Sequence, residues 1–194
     1  DELAFEVAQS HAWLADALRA TRRYDEALSN RRAEERLLQQ LVETNPKSSL
    51  FKEALARNRF AIGAVLALQG DTLGAIAITN EADQAMTDLC ARSPGNHFCV
   101  QTLSLMKLFQ ARFHLKTGEI ETAKVLCAAV IQIAEEQMNS IEVQDNSRQN
   151  WREIISLANY LSISGPMRNS QEITAIAPAL GSFFNLEILL GEFQ

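Results

Sequence analysis

The chain has 194 residues, of which Gly and Pro supply only eight and four, about half their usual share in a globular protein. So few breakers leave little room for the turns of an all-β fold, and 47% hydrophobic with 22% charged residues excludes a disordered tail and a membrane protein. The net charge of −6 argues against the clustered Lys and Arg that track a phosphate backbone, so nucleic acid is not expected as a direct partner.

Along the chain, apolar residues recur three, four or seven apart. Leu14 and Leu18 mark the first segment; Leu37, Leu38, Leu41 and Val42 the second; Leu55, Ile62 and Leu66 the third. This is the spacing of amphipathic helices. Breakers fall at Arg22–Arg23, Asn45–Pro46, Gly70–Asp71, Ser93–Pro94–Gly95, Gly118–Glu119, Gln144–Asp145–Asn146 and Gly165–Pro166, which predicts eight helices of about 17 to 22 residues. The longest nearly uncharged runs, 60–70 and 125–134, fall short of the ~18–20 apolar residues that span a bilayer, so no membrane insertion is expected. The chain opens Asp1-Glu2-Leu3-Ala4-Phe5, without an initiator Met or a basic n-region, and reads as a fragment of a larger protein.

The breakers keep a fixed interval, the mark of a stacked-repeat architecture. Ala27, Ala75 and Ala123 stand 48 residues apart, as do Pro46 and Pro94, and Gly70 and Gly118; Gly165 follows 47 later. Ala15, Gly63, Ala111 and Ala158 keep the same register. Small residues there let the two helices of a hairpin approach. Gly70, Gly118 and Gly165 stand where a helix ends in the left-handed conformation, Asp71 is placed to cap the next helix, and proline prevents continuation. Four repeats result, over residues 1–46, 47–94, 95–142 and 143–194, the last atypical or capping. A plain antiparallel bundle would show amphipathic helices too, but needs no such register.

The segment from Ala12 through Trp13, Leu14, Ala15 and Leu18 to Tyr24 and Ala27, closed by Pro46, resembles a tetratricopeptide repeat. Leu14, Ala15 and Leu18 match that family's large-small-large positions on the first helix, and Tyr24 and Ala27 match the turn and second helix. Ile62, Gly63, Leu66, Gly70-Asp71 and Ala75 repeat the pattern, then Ala111, Gly118-Glu119 and Ala123. The third repeat departs from it at Gln110 and His114, the fourth lacks a match after Gly165, and the period exceeds the family's usual 34, implying helices about two turns longer. The resemblance implies an all-α, right-handed superhelix of about four antiparallel helical hairpins. It also implies a protein-binding scaffold, of the kind that bacterial signalling proteins such as Ser/Thr kinases and transcription regulators carry beside their effector domains.

No phosphate loop, His-Glu-x-x-His or Gly-x-Ser-x-Gly motif occurs, so no catalytic residue, metal or cofactor is assigned and an enzyme is not expected. His11, His97 and His114 are dispersed; His97 lies near Cys99 but lacks the further ligands zinc needs. Adjacent carboxylates at Glu34–Glu35 and Glu135–Glu136 read as solvated helix surface. Cys90 and Cys99 flank a turn and either form a bridge, which implies an oxidising compartment such as a periplasm, or remain free thiols suited to a cytosol. The compartment thus stays open between a periplasmic part of a membrane-anchored protein and the cytoplasm. Cys127 reads as core.

If the repeats stack, their first helices line a concave face that binds a protein or peptide. Gln9, Asp16, Arg19, Arg57, Phe60, Leu108, Arg112, Arg152 and Asn159 are the residues expected there, with the arginines able to hold a carboxylate or acidic peptide through bidentate contacts. From Ser170 onward the chain is too apolar for a solvated last helix. Phe183, Phe184, Leu186 and Leu190 either pack inside the chain or supply a homodimer contact. The alternatives to a peptide-binding scaffold are a small-molecule sensor with a pocket closed by this segment, and an oligomerisation module.

Overall fold

A computed structural model describes residues 1–93, 95–139 and 145–163. Among them it is all-helical, with seven helices and no strand: α1 (Glu2–Ala20), α2 (Tyr24–Thr44), α3 (Ser49–Leu68), α4 (Thr72–Arg92), α5 (His97–Lys116), α6 (Ile120–Asn139) and α7 (Asp145–Ile163). The expected eighth helix lies outside the described residues, together with Pro94, Gly165, Pro166 and the segment holding Phe183, Phe184, Leu186 and Leu190. The chain divides into two compact units, Asp1–Gly95 and Asn96–Gln194. In the first, α1 packs on α2, α2 on α3 and α3 on α4; in the second, α5 packs on α6, α6 on α7, and α5 also meets α7.

Helix bounds keep the 48-residue interval: α2 and α4 start at Tyr24 and Thr72 and end at Thr44 and Arg92, while α1, α3 and α5 end at Ala20, Leu68 and Lys116. The turn after each of these first helices is the same. Arg23, Asp71 and Glu119 donate their backbone N–H groups to the carbonyls of Leu18, Leu66 and His114, and Arg22, Gly70 and Gly118 donate to those of Arg19, Ala67 and Leu115. This paired closure is the Schellman motif, which needs a left-handed residue just past the helix. Gly70 and Gly118 supply it at φ 88° and 83°. At the matching place in the first hairpin stands Arg22, at φ 60°, a conformation that costs a residue with a Cβ about 1–2 kcal/mol. The following helices are capped locally: Asp71 Oδ1 accepts from Gly74 N at 2.9 Å, Ser48 Oγ from Phe51 N at 3.3 Å and Asn96 Oδ1 from Cys99 N at 3.1 Å.

The small residues of the register are all buried: Ala15, Gly63, Ala111 and Ala158 on first helices, Ala27, Ala75 and Ala123 on second helices. At Gly63 the reason is visible. A Cβ there would run into Thr79 Cγ2 and come within 3.2 Å of the Ala75 carbonyl oxygen, so α3 approaches α4 more closely than any larger residue allows.

In the first unit, three helices share two apolar clusters. Ala8, Leu38 and Leu41 gather Phe5, Phe51 and Leu55 at one end, where the Phe5 and Phe51 rings lie 5.4 Å apart. Leu18, Ala27 and Val65 gather Tyr24 and Leu28 at the other. The second unit has α5 buried along almost its whole length, the polar Gln101, Thr102, Ser104 and Gln110 included, with an edge-on Phe109–Phe113 pair at 4.5 Å. Packed on α6 and meeting α5, α7 buries Trp151, Ile154, Leu157, Ala158 and Leu161, a helical stripe of one face.

Arg22→Gly should stabilise the chain by about 0.5–1 kcal/mol and Gly70→Ala should destabilise it by about 1 kcal/mol, since no neighbour crowds either Cβ position at Gly70 or Gly118 and only the backbone conformation is at stake. Urea denaturation of the two variants checks both signs.

Candidate functional site

Between the two apolar clusters of the first unit, the middle turns of the same helices carry charge. Arg31 of α2 is buried; its Nη2 donates to Asp16 Oδ1 of α1 at 2.6 Å and its Nη1 to Glu34 Oε2 at 2.8 Å. Arg19 Nε, on α1 and only 3% exposed, lies 3.9 Å from the same Asp16 oxygen. From α3, Asn58 donates its side-chain amide to the Arg31 carbonyl at 3.0 Å. One turn further, Glu35 accepts from Arg32 at 2.8 Å and from Arg59 of α3 at 3.2 Å, and Arg59 reaches Glu81 of α4 at 3.4 Å. Two neighbouring ionic networks, Asp16–Arg31–Glu34 between α1 and α2 and Arg32–Glu35–Arg59–Glu81 across α2, α3 and α4, thus form a charged layer through the four helices. Glu34 and Glu35, expected as solvated surface, are both buried. They are tolerated there because each faces a guanidinium.

Burial pushes the Glu34 carboxyl above its ordinary range; Arg31 opposes the shift by charge and hydrogen bond, Asp16 adds to it, and Arg57 opposes it by charge alone. Arg57, on α3, is exposed, as is Gln9 on α1, while Asp16 is half-buried. One buried carboxylate therefore has Asp16 and Arg57 within electrostatic reach, and these two, from different first helices, stand at the accessible rim of the layer.

The other residues expected on a partner face are distributed less uniformly. Arg19 and Phe60 are buried in the first unit and Leu108 in the second, so their side chains serve packing. In the second unit Arg152 and Asn159 are exposed on α7. Arg112 is half-buried beside Tyr160 of α7, and burial lowers its guanidinium to about 10. The sequence reading passed over two features of the first unit. Trp13 is 74% exposed on α1, the same helix as Gln9. The ionic layer was signalled by the register itself: 48 residues after Arg31 and Glu34 come Thr79 and Ala82, and 48 later Cys127 and Val130, all of them buried.

Remaining chemical groups are accounted for locally. His97 Nδ1 lies 2.6 Å from Gln137 Oε1, His11 Nδ1 2.9 Å from Asn30 Oδ1 and His114 Nδ1 3.1 Å from Glu119 Oε2. Cys90 and Cys99 are disulfide-bonded, and Cys127 is a buried free thiol that burial raises to about 11, far from the range of a reactive thiolate. Among the described residues no three His, Cys, Asp or Glu side chains gather as a metal site, and no helix is long and apolar enough to cross a membrane. Compared with protein-family models, curated proteins and solved structures, the chain finds no match.

The layer makes opposite demands on its two buried members. Arg31→Ala strands Glu34 and Asp16 without their shared cation and should cost about 3–5 kcal/mol. Glu34 holds its proton more tightly in the folded than in the unfolded chain, so the stability it contributes is greatest below its unfolded pKa and is lost as pH rises through the raised folded value. Glu34→Gln, which does not titrate, should therefore gain on the unmodified protein as pH is raised from about 4 to about 7, measured as the difference in urea midpoints at each pH.

Proposed function

We propose that the chain is a non-enzymatic interaction module of tetratricopeptide-like helical hairpins, which holds a peptide or protein partner along its first helices and serves a larger signalling protein as its sensory or scaffolding part. The observation that carries this reading is that Asp16 of α1, held by Arg31, and Arg57 of α3, exposed, lie on two different first helices beside the same buried carboxylate, Glu34. Asp16, fixed from beneath by Arg31, presents its charge without the entropy that a loose surface side chain must lose on binding. Gln9, with an amide that both donates and accepts, stands on the same helix as Asp16. Trp13 adds a large, exposed aromatic of the type that anchors interfaces. The helix bounds at 48-residue intervals and the repeated Schellman turns support the repeat architecture that such scaffolds use.

An acidic peptide is the partner this rim suits, because a guanidinium takes a carboxylate in a bidentate fork and the pair is stronger than a neutral hydrogen bond. Asp16 offers the complementary acceptor for a backbone N–H or a basic side chain of the same peptide.

Arg57→Glu should reduce retention of the partner on immobilised protein about tenfold, equivalent to roughly 1.4 kcal/mol and within the span of one charge-assisted hydrogen bond, with the melting temperature moved by no more than about 2 °C. Arg36→Glu, a reversal on the exposed side of α2, serves as control and should leave retention unchanged. Equal retention by all three proteins contradicts the assignment of the rim.

A further inference from the structure

The 48-residue register relates α1 to α3 position by position, and the two helices differ in what covers one face. On α3, Phe51 and Leu55 pack against the cluster that includes Leu38 and Leu41 of α2, and Val65 packs with Ala27 and Leu18. Asn58, between them, donates to the α2 carbonyl of Arg31, and Ile62 on the same face is 0% exposed. This is the face by which α3 receives the second helix of the preceding hairpin. The same positions on α1 are Leu3, Val7, Ser10, Leu14 and Ala17. They form one stripe by helical spacing and they are exposed: Leu3 by 73%, Val7 by 41% and Leu14 by 50%.

Three large apolar side chains in one row on a soluble helix are unusual unless something covers them. The occupant can be specified from the covered copy of the same surface. Toward α3, α2 presents Leu38 and Leu41 at one end and Ala27 with Leu28 at the other, and its own helix axis comes close enough for a side-chain amide on α3 to reach a main-chain carbonyl. Leu3 and Val7 match Phe51 and Leu55 at the first of these ends, and Ala17 matches Val65 at the second. Ser10, matching Asn58, keeps a hydroxyl donor at the place where the backbone of the incoming helix passes.

From this we infer that the outer face of α1 is a docking surface for a further helical hairpin of the same 48-residue pattern, whose second helix lies on α1 as α2 lies on α3. The inference rests on the register and the packing within the first unit. It is independent of the peptide-binding rim, which is built from other residues.

A tandem protein tests it: residues 1–48 placed directly ahead of the full chain, so that Ser48 runs into Asp1 and the interval is preserved. Repeat arrays gain stability from each added interface, and the tandem should melt higher than the single chain by about 5 °C or more. Leu14→Asp in the downstream copy should abolish that gain, whereas Leu14→Asp in the single chain should shift its melting temperature by less than about 2 °C. A tandem that melts no higher than the single chain overturns the inference, as does a Leu14→Asp cost of equal size in both proteins. Light scattering of the single chain supplies a separate check: a monomer is expected, and a dimer dissolved by Leu14→Asp would show that a second copy, not an added hairpin, occupies the face.

Discussion

Removing the Arg31 guanidinium from water costs several kcal/mol unless its donors are satisfied by charge, and that constraint organises the first unit. Its two terminal nitrogens are divided between Asp16 on α1 and Glu34 on α2, while the Arg31 carbonyl receives Asn58 from α3. Apolar contact is non-directional and tolerates sliding. These bonds do not, so the three helices have one alignment in which the layer is satisfied, and the Phe5–Phe51 and Leu18–Val65 contacts at either end fall into place around it.

The same layer connects packing to the proposed role. Glu34 is too buried to meet a partner, but the charges that act on it include Asp16 and Arg57, both nearer the surface. Of the two, Asp16 is fixed by its bond to Arg31, and a charge held in place before binding loses less entropy when a partner arrives. The equivalent places in the next two second helices hold Thr79 with Ala82 and Cys127 with Val130, so the ionic version belongs to the first hairpin and gives it a chemical character of its own.

Much of the fold was legible because the residues that set it act locally. Gly70 and Gly118 read correctly as left-handed helix ends, and Ala15, Gly63, Ala111, Ala27, Ala75 and Ala123 as points of close approach, since each depends on the turn or the opposing helix that the register itself supplies. The site was less legible, for a physical reason visible at Leu14. Leu14 and Ile62 hold the same place in the register, yet Ile62 is buried and Leu14 is 50% exposed, because α3 has a preceding hairpin against it and the corresponding face of α1 stands open. Counting inward from Leu14 and Ile62 then placed Phe60 and Leu108 on an open surface when both are core. Glu34 and Glu35 were misread by the opposite route: adjacency of two carboxylates suggested solvent, whereas comparison of Glu34 with Ala82 and Val130 indicates a buried position in need of a cation, and Glu35, whose counterpart is Asp83, carries no such signal.

Arg31 and Glu34 occupy core positions that an uncharged pair, Thr79 and Ala82, fills in the next hairpin. The most direct measurement is the urea stability of the double variant Arg31→Thr, Glu34→Ala, which installs the Thr79 and Ala82 residue types, set beside Arg31→Thr alone. Replacing a buried ion pair as a whole is often neutral, while removing one partner is costly. Thr and Ala are smaller than the pair they replace, so the double variant loses packing but strands no buried Glu34 charge; it should unfold cooperatively and keep more stability than the single variant, which should lose at least about 3 kcal/mol. A double variant as unstable as the single one would contradict the equivalence of these positions and with it the 48-residue register of the helices.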